Sequence, residues 1–220
     1  MLLRWGKLKR NEFYSYNLNT LCKGCKLCVQ GRKTVLYITG VCPRDCYYCP
    51  LSEQKKNNDV MYANERKVLS VDEIIDECRL SGSMGIGITG GDPLCRLPRT
   101  VDVIKRLKKE FGKEFHIHLY TSLDLITKER LKKLFTAGLD EIRVHPDLDD
   151  QKFWDRILLL KELSWTTGIE IPAIPGKADM IKKLITTYHS HIDFMNINEF
   201  EYSDMNEERL HERGFVCRDV

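Results

Sequence analysis

Three thiols in the segment Thr39-Gly40-Val41-Cys42-Pro43-Arg44-Asp45-Cys46-Tyr47-Tyr48-Cys49-Pro50 have a spacing suited to inorganic chemistry. Cys42, Cys46 and Cys49 form a C-x3-C-x2-C pattern, and thiolates so spaced in a short, turn-rich loop can ligate three irons of a 4Fe–4S cube. The fourth iron then lacks a protein ligand, and an aminocarboxylate can chelate it there and receive an electron. Structural zinc is the competing chemistry. Cys22-x2-Cys25 and Cys46-x2-Cys49 are separated by twenty residues, close to a four-cysteine zinc ribbon, which would make the chain a binding module rather than an enzyme. That arrangement leaves Cys42 unused and puts a β-rich run inside the knuckle.

Nine cysteines are many for a chain in a reducing compartment, and six of them fall between positions 22 and 49. Disulfides are disfavoured there and the count is odd, so the clustered thiols point to metal. Cys22-Lys23-Gly24-Cys25-Lys26-Leu27-Cys28 is a second nucleus, open either to an auxiliary iron–sulfur cluster or to zinc with one remote ligand. Cys78 lies on an apolar helical stretch and reads as a small buried hydrophobe.

The elements that must position these groups alternate. Strands are expected over 33–40, 84–90, 115–121, 141–145, 169–174 and 192–197. Helices are expected over 70–81, 101–111, 127–137, 152–166 and 178–189. Ser70 with Glu73 makes a capping box, and Gly112 and Gly138 stop two of the helices. Strands alternating with helices imply parallel βαβ units with right-handed crossovers. Along the strands one set of alternate positions is apolar (Ile86, Ile88; Ile117, Leu119; Ile142, Val144) and the other polar (His116, His118, Tyr120, Ser122; Glu141, Arg143, His145; Asn196, Asn198). A doubly wound sheet meets helices on both faces and should be apolar on both. One polar face indicates a lumen holding a polar ligand. The expected fold is therefore α/β, a partial (βα)6 TIM-like barrel with a Cys-rich N-terminal extension. Its site lies at the carboxyl ends of the strands, near Thr39, Thr89, Ser122, His145 and Asn198.

The cysteine loop resembles the C-x3-C-x-aromatic-C loop of the radical S-adenosylmethionine (radical SAM) superfamily, with Tyr48 in the aromatic position and the loop just after the first strand. Thr89-Gly90-Gly91-Asp92-Pro93-Leu94 is similar to the superfamily's Gly-Gly-Glu-Pro-like turn, with Asp92 in place of the commoner Glu. The resemblance covers roughly residues 33 to 200 and is greatest to a mainly archaeal group related to pyruvate formate-lyase activating enzymes. It implies a 4Fe–4S cluster on Cys42, Cys46 and Cys49 and reductive cleavage of S-adenosylmethionine to a 5′-deoxyadenosyl radical that abstracts hydrogen from a substrate. It also implies cofactor contacts from Tyr48, Gly90, Gly91, Asp92, Ser122, Arg143, Ile174 and Asn198. Arg143 has an equal alternative in an ion pair with Glu141 or Glu170. The expected partners are an electron donor of ferredoxin or flavodoxin type and a substrate, which the residues leave open among RNA, a protein side chain and a small heterocycle. Activation of a glycyl-radical enzyme is the alternative function.

The chain has 220 residues, 35 basic and 32 acidic, for a net charge of +3, which neither demands nor excludes nucleic acid. The basic leader residues, Arg4 among them, read as a solvated terminus. No apolar run approaches the roughly 18 residues that span a bilayer, and the start lacks a signal-peptide core, so a cytoplasmic protein away from membranes is expected. Three segments are anticipated: a Cys-rich extension (1–32), a barrel core (33–200) and a C-terminal tail (201–220), with the lateral opening of the barrel left for a further segment, a partner or a large substrate.

Overall fold

A computed structural model describes residues 7–217; Arg4 and the outermost ends of the extension and tail lie outside the described residues. In chain order the elements begin with a short hairpin, β1 (Lys9–Arg10) and β2 (Tyr16–Asn17), followed by α1 (Lys23–Val29). The barrel then runs β3 (Lys33–Tyr37), β4 (Met61–Ala63), β5 (Arg66–Val68), α2 (Val71–Leu80), β6 (Gly85–Thr89), α3 (Leu97–Phe111), β7 (His116–Ser122) and α4 (Lys128–Ala137). It continues through β8 (Glu141–His145), β9 (Thr166–Pro172), α5 (Ala178–Tyr188) and β10 (Phe194–Asn198), and α6 (Glu207–Glu212) follows. Among the described residues no helix is long and apolar enough to cross a membrane.

The six expected strands form a parallel sheet in the order β10-β9-β8-β7-β6-β3. The ends of the sheet do not pair with each other, so the barrel is partial, as the strand count predicts. The alternation does what the sequence pattern requires. Ile86, Ile88, Ile117, Leu119, Ile142, Val144, Ile169 and Ile171 are buried in one core with Ile74, Val103, Ile104, Leu107, Leu131, Leu134 and Leu184 of the helices. Of their polar alternates, His118, Tyr120, His145, Glu170 and Asn198 line the lumen. Ser70 and Glu73 make the full capping box on α2, and Gly138 closes α4 in the left-handed region at φ 106°.

Two features differ from the sequence expectation. The helix expected over 152–166 is a 3-10 run, Trp154–Glu162. Its last expected residue, Thr166, instead opens β9, where it pairs with Glu141 of β8, and the following Thr167 amide donates to the Asp193 carboxylate at 2.8 Å. Strand pairing over a β-branched Thr-Thr start outweighs the helical periodicity. The second is the hairpin β4–β5, which adds two antiparallel strands to the free side of β3. Asn64 makes its turn at φ 52°, a conformation asparagine tolerates, and exchanges both backbone and side-chain hydrogen bonds with Val35.

Candidate active site

The cysteine loop leaves the carboxyl end of β3 and has no regular structure of its own between Val41 and Pro50. It is held by its neighbours instead. The Gly91 amide donates to the Thr39 carbonyl (2.7 Å) and the Asp92 amide to the Val41 carbonyl (2.9 Å), so the turn after β6 is stitched to the root of the loop. Glycine is required at that seam. A Cβ on Gly91 would stand 2.5 Å from the Gly40 carbonyl oxygen and 2.6 Å from that of Val41, and one on Gly90 2.3 Å from that of Thr39. From the tail, Arg209 donates to the carbonyls of Cys46 (3.0 Å) and Cys49 (3.2 Å), and the Asn206 amide to that of Tyr48 (3.0 Å). Phe215 stacks on Tyr47. Arg44 reaches across to the His145 carbonyl and pairs with Asp147 at 2.7 Å.

Cys42, Cys46 and Cys49 are all free and partly buried. Burial pushes the Cys42 thiol up to about 12, partly offset by a hydrogen bond from the Arg44 backbone, and burial also raises Cys46 against the pull of the Arg44 guanidinium. Thiols in such a setting ionise on binding metal, which releases their protons. Among the described residues no three His, Cys, Asp or Glu side chains converge on one point as the ligands of a single ion do. A cube spreads its three thiolates over three separate irons, and the loop's three partly buried thiols and fastened backbone fit that group.

Asp92 is held on both carboxylate oxygens by its neighbours. Its carboxylate is 1% exposed and accepts from the Leu94 amide (2.9 Å) and the Thr121 hydroxyl (2.8 Å) on one oxygen. The other oxygen accepts from the Ser122 amide (2.9 Å) and hydroxyl (2.8 Å). Burial raises its proton affinity and these donors pull it back. The carboxylate thus ties the β6 turn to the end of β7, and the Ser122 hydroxyl is spent on it rather than turned to the lumen.

Below the loop a cavity of about 500 Å³ runs down the lumen from Tyr48, His145 and Asn198 to Lys33 and Cys28, with Ile171, Pro172 and Phe200 among the polar groups of its wall. Nδ1 of His145 faces the Glu170 carbonyl (3.0 Å), so this nitrogen carries the proton and Nε2 accepts from the Tyr48 hydroxyl at 2.8 Å. Burial, reinforced by Arg44, lowers His145 to about 4 and keeps it neutral. Arg143 is 2% exposed and realises the ion-pair alternative twice over, with Glu141 (2.6 Å) and Glu170 (2.8 Å), and it also donates to the Tyr120 hydroxyl. The Asn198 amide donates to Glu170 (3.1 Å) and its carbonyl accepts from Ala173. Ile174 is buried in the core, its carbonyl taken by the Lys177 amide.

The leader triad is helical, which its sequence hides. Gly24 lets α1 press against the lumen wall, since a Cβ there would stand 2.6 Å from Arg143, 2.7 Å from Glu141 and 2.9 Å from His118. These contacts lie at the amino ends of the strands, opposite the cysteine loop, so α1 floors the lumen. Lys33 stands beside it, donating to Nδ1 of His116 (3.0 Å) and of His118 (2.7 Å). A hydrogen bond from the Cys22 thiol, with Arg143 and Asn196 adding to it against burial, lowers Cys25 to about 6.

Comparison with known proteins agrees with the fold. The family model described as the Radical SAM superfamily matches residues 36–185. A Methanocaldococcus jannaschii protein, provisionally named as a glycyl-radical enzyme activating enzyme, is 47% identical over 217 residues, covering 94% of this chain and 58% of that protein. The PqqA peptide cyclase of Bradyrhizobium diazoefficiens is 27% identical over 149 residues, 63% of this chain and 36% of its own length. The crystal structure of methylornithine synthase shares the fold at a TM-score of 0.60 and 18% identity, over 79% of this chain and 54% of that one. The chain thus spans little more than half the length of the archaeal relative. With a three-cysteine loop at the mouth of a partial barrel and a family match over most of that barrel, the chain belongs to the radical SAM superfamily, enzymes that work with a 4Fe–4S cluster and S-adenosylmethionine.

Proposed function

We propose that the chain uses its radical chemistry on a protein, abstracting hydrogen from a glycine of a partner enzyme. When bound, the cluster and S-adenosylmethionine supply a 5′-deoxyadenosyl radical. The chain's residues do the rest. Cys42, Cys46 and Cys49 would hold the cluster at the top of the lumen, and the Gly90-Gly91 turn, Arg209 and Asn206 fix the loop that carries them. Tyr48, Gly90, Gly91, Ile174 and Asn198 would frame the cofactor there, and Asp92 would hold the turn that presents the two glycines. Ser122 and Arg143 would serve it indirectly, by fastening Asp92 and Glu170. The lumen beneath would receive the reacting residue.

The observation that carries the reading is the position of the loop, through Tyr48 and Pro50, at one end of the lumen cavity, with Cys28 of α1 at the other. A substrate then enters from the cysteine side or from the lateral opening between β10 and β5, the two outer strands of the sheet. An extended peptide segment suits such an entrance. The name of the archaeal relative supports the same class. An electron donor of ferredoxin or flavodoxin type would complete the system.

The test is anaerobic incubation with S-adenosylmethionine, dithionite and a candidate glycyl-radical partner carrying α-deuterated glycine. Deuterium in the 5′-deoxyadenosine and a glycyl doublet in the EPR spectrum are expected. Deoxyadenosine formed without deuterium from any glycine, but labelled from an RNA or a small heterocycle, would reject the protein substrate while leaving the radical chemistry intact.

A further inference from the structure

We propose that α1 carries a second iron–sulfur cluster, a 4Fe–4S cube on Cys22, Cys25 and Cys28 at the floor of the lumen. The inference does not depend on the reaction proposed above. The three thiols recur at every third position from the N-cap of α1, so they share one side of the helix and spread along it. A single zinc ion needs its ligands converged around one point, whereas a cube takes them on separate irons.

The surroundings are built for sulfur that carries charge. Nη2 of Arg143 lies 3.4 Å from Sγ of Cys25 and 3.6 Å from Sγ of Cys22, and the Asn196 amide nitrogen lies 3.4 Å from Sγ of Cys25. Three N–H···S contacts from two donor nitrogens on different strands thus meet two thiols, and Arg143 is almost wholly buried where it does so. Such donors are how a protein sets the charge and potential of cluster sulfurs. Gly24 seats α1 directly on Arg143, Glu141 and His118, which brings the thiols within reach of the guanidinium. Cys28 lines the cavity, so the second cluster would face whatever occupies the lumen from the side opposite the first.

The experiment uses the full chain with Cys42, Cys46 and Cys49 all replaced by Ala, reconstituted anaerobically with iron and sulfide. It should keep about four iron atoms and about four acid-labile sulfides per chain, with a reducible cluster signal in the EPR spectrum. Adding Cys22→Ser, Cys25→Ser and Cys28→Ser should remove them. Asn196→Leu, made in the variant lacking the first site, should leave the iron content unchanged and move the remaining potential downward, because one N–H···S bond that favours the reduced cluster is lost. Less than about one iron per chain in the first variant, zinc in place of iron, or an unmoved potential in Asn196→Leu overturns the proposal. Failure of the radical reading would show separately, as wild-type protein that makes no deoxyadenosine.

Discussion

Replacing Asp92 by Asn separates a fastening carboxylate from one that serves a ligand. Each carboxylate oxygen accepts one backbone amide and one hydroxyl, at 2.8 to 2.9 Å. An asparagine keeps only one oxygen, so its NH2 must face either the Leu94 or the Ser122 amide, and neither backbone donor can turn away. The hydroxyl on that side can reverse and accept from the new NH2, but one amide bond to a charged acceptor is lost at about 1.5–3 kcal/mol and its buried N–H is left unsatisfied at about 1–3 kcal/mol. Relief of the buried charge returns part of this, since burial already disfavours the ionised form. A net loss of about 3 kcal/mol is expected, which for a chain of this size lowers the melting temperature by roughly 6–12 °C. Thermal unfolding of the metal-free protein, followed by circular dichroism under reducing anaerobic conditions, measures it without any contribution from the cofactor. A melting temperature within about 1 °C of wild type would refute the fastening role and return Asp92 to the direct cofactor contact implied by the family resemblance.

Gly91→Ala should keep the fold but displace the turn from the carbonyls of Gly40 and Val41, lowering iron incorporation and deoxyadenosine formation at least tenfold; iron analysis beside circular dichroism checks both halves. Arg209→Ala removes the donors to the Cys46 and Cys49 carbonyls and should speed loss of the absorbance near 400 nm in chelator several-fold, with little change in the metal-free melting temperature. Stability of the metal-free protein should fall on acidification below neutrality. Burial, with Lys33 next to one and Arg44 next to the other, lowers His116 to about 3 and His145 to about 4. The unfolded chain, with ordinary histidines near 6.5, therefore takes up protons first. Their contribution is complete above about pH 6.5 and is lost as the pH falls toward 4 and then 3. A urea midpoint unchanged between pH 7.5 and 4.5 would contradict this.

The barrel was legible because its signals are local. Alternation of Ile117 and Leu119 with His116, His118 and Tyr120 sets both the strand and the side that faces the lumen, and a capping box or a terminal glycine marks a helix within one turn. The cysteine loop was legible for the same reason: its spacing and the Gly-Gly-Asp turn are each a few residues long. What the sequence hid depends on contacts made across the chain. Nothing near Ser122 reveals that its hydroxyl belongs to Asp92, thirty residues earlier, or that Arg209 holds the carbonyls of a loop at the other end of the chain. The leader helix escaped because cysteine and glycine are weak helix formers, and its stability comes from docking on β6 and β7 rather than from propensity. The hairpin β4–β5 has strands of only three residues, too short for alternation to register.

The central claim is that Cys42, Cys46 and Cys49 hold the cluster that cleaves S-adenosylmethionine. The most direct measurement is 5′-deoxyadenosine formation by the anaerobically reconstituted protein with S-adenosylmethionine and dithionite, compared with the variant in which those three cysteines are Ala. The wild type should form it and the variant should form none above the background without enzyme, whatever iron the leader retains. Deoxyadenosine formed by the variant at a rate comparable to wild type would contradict the account.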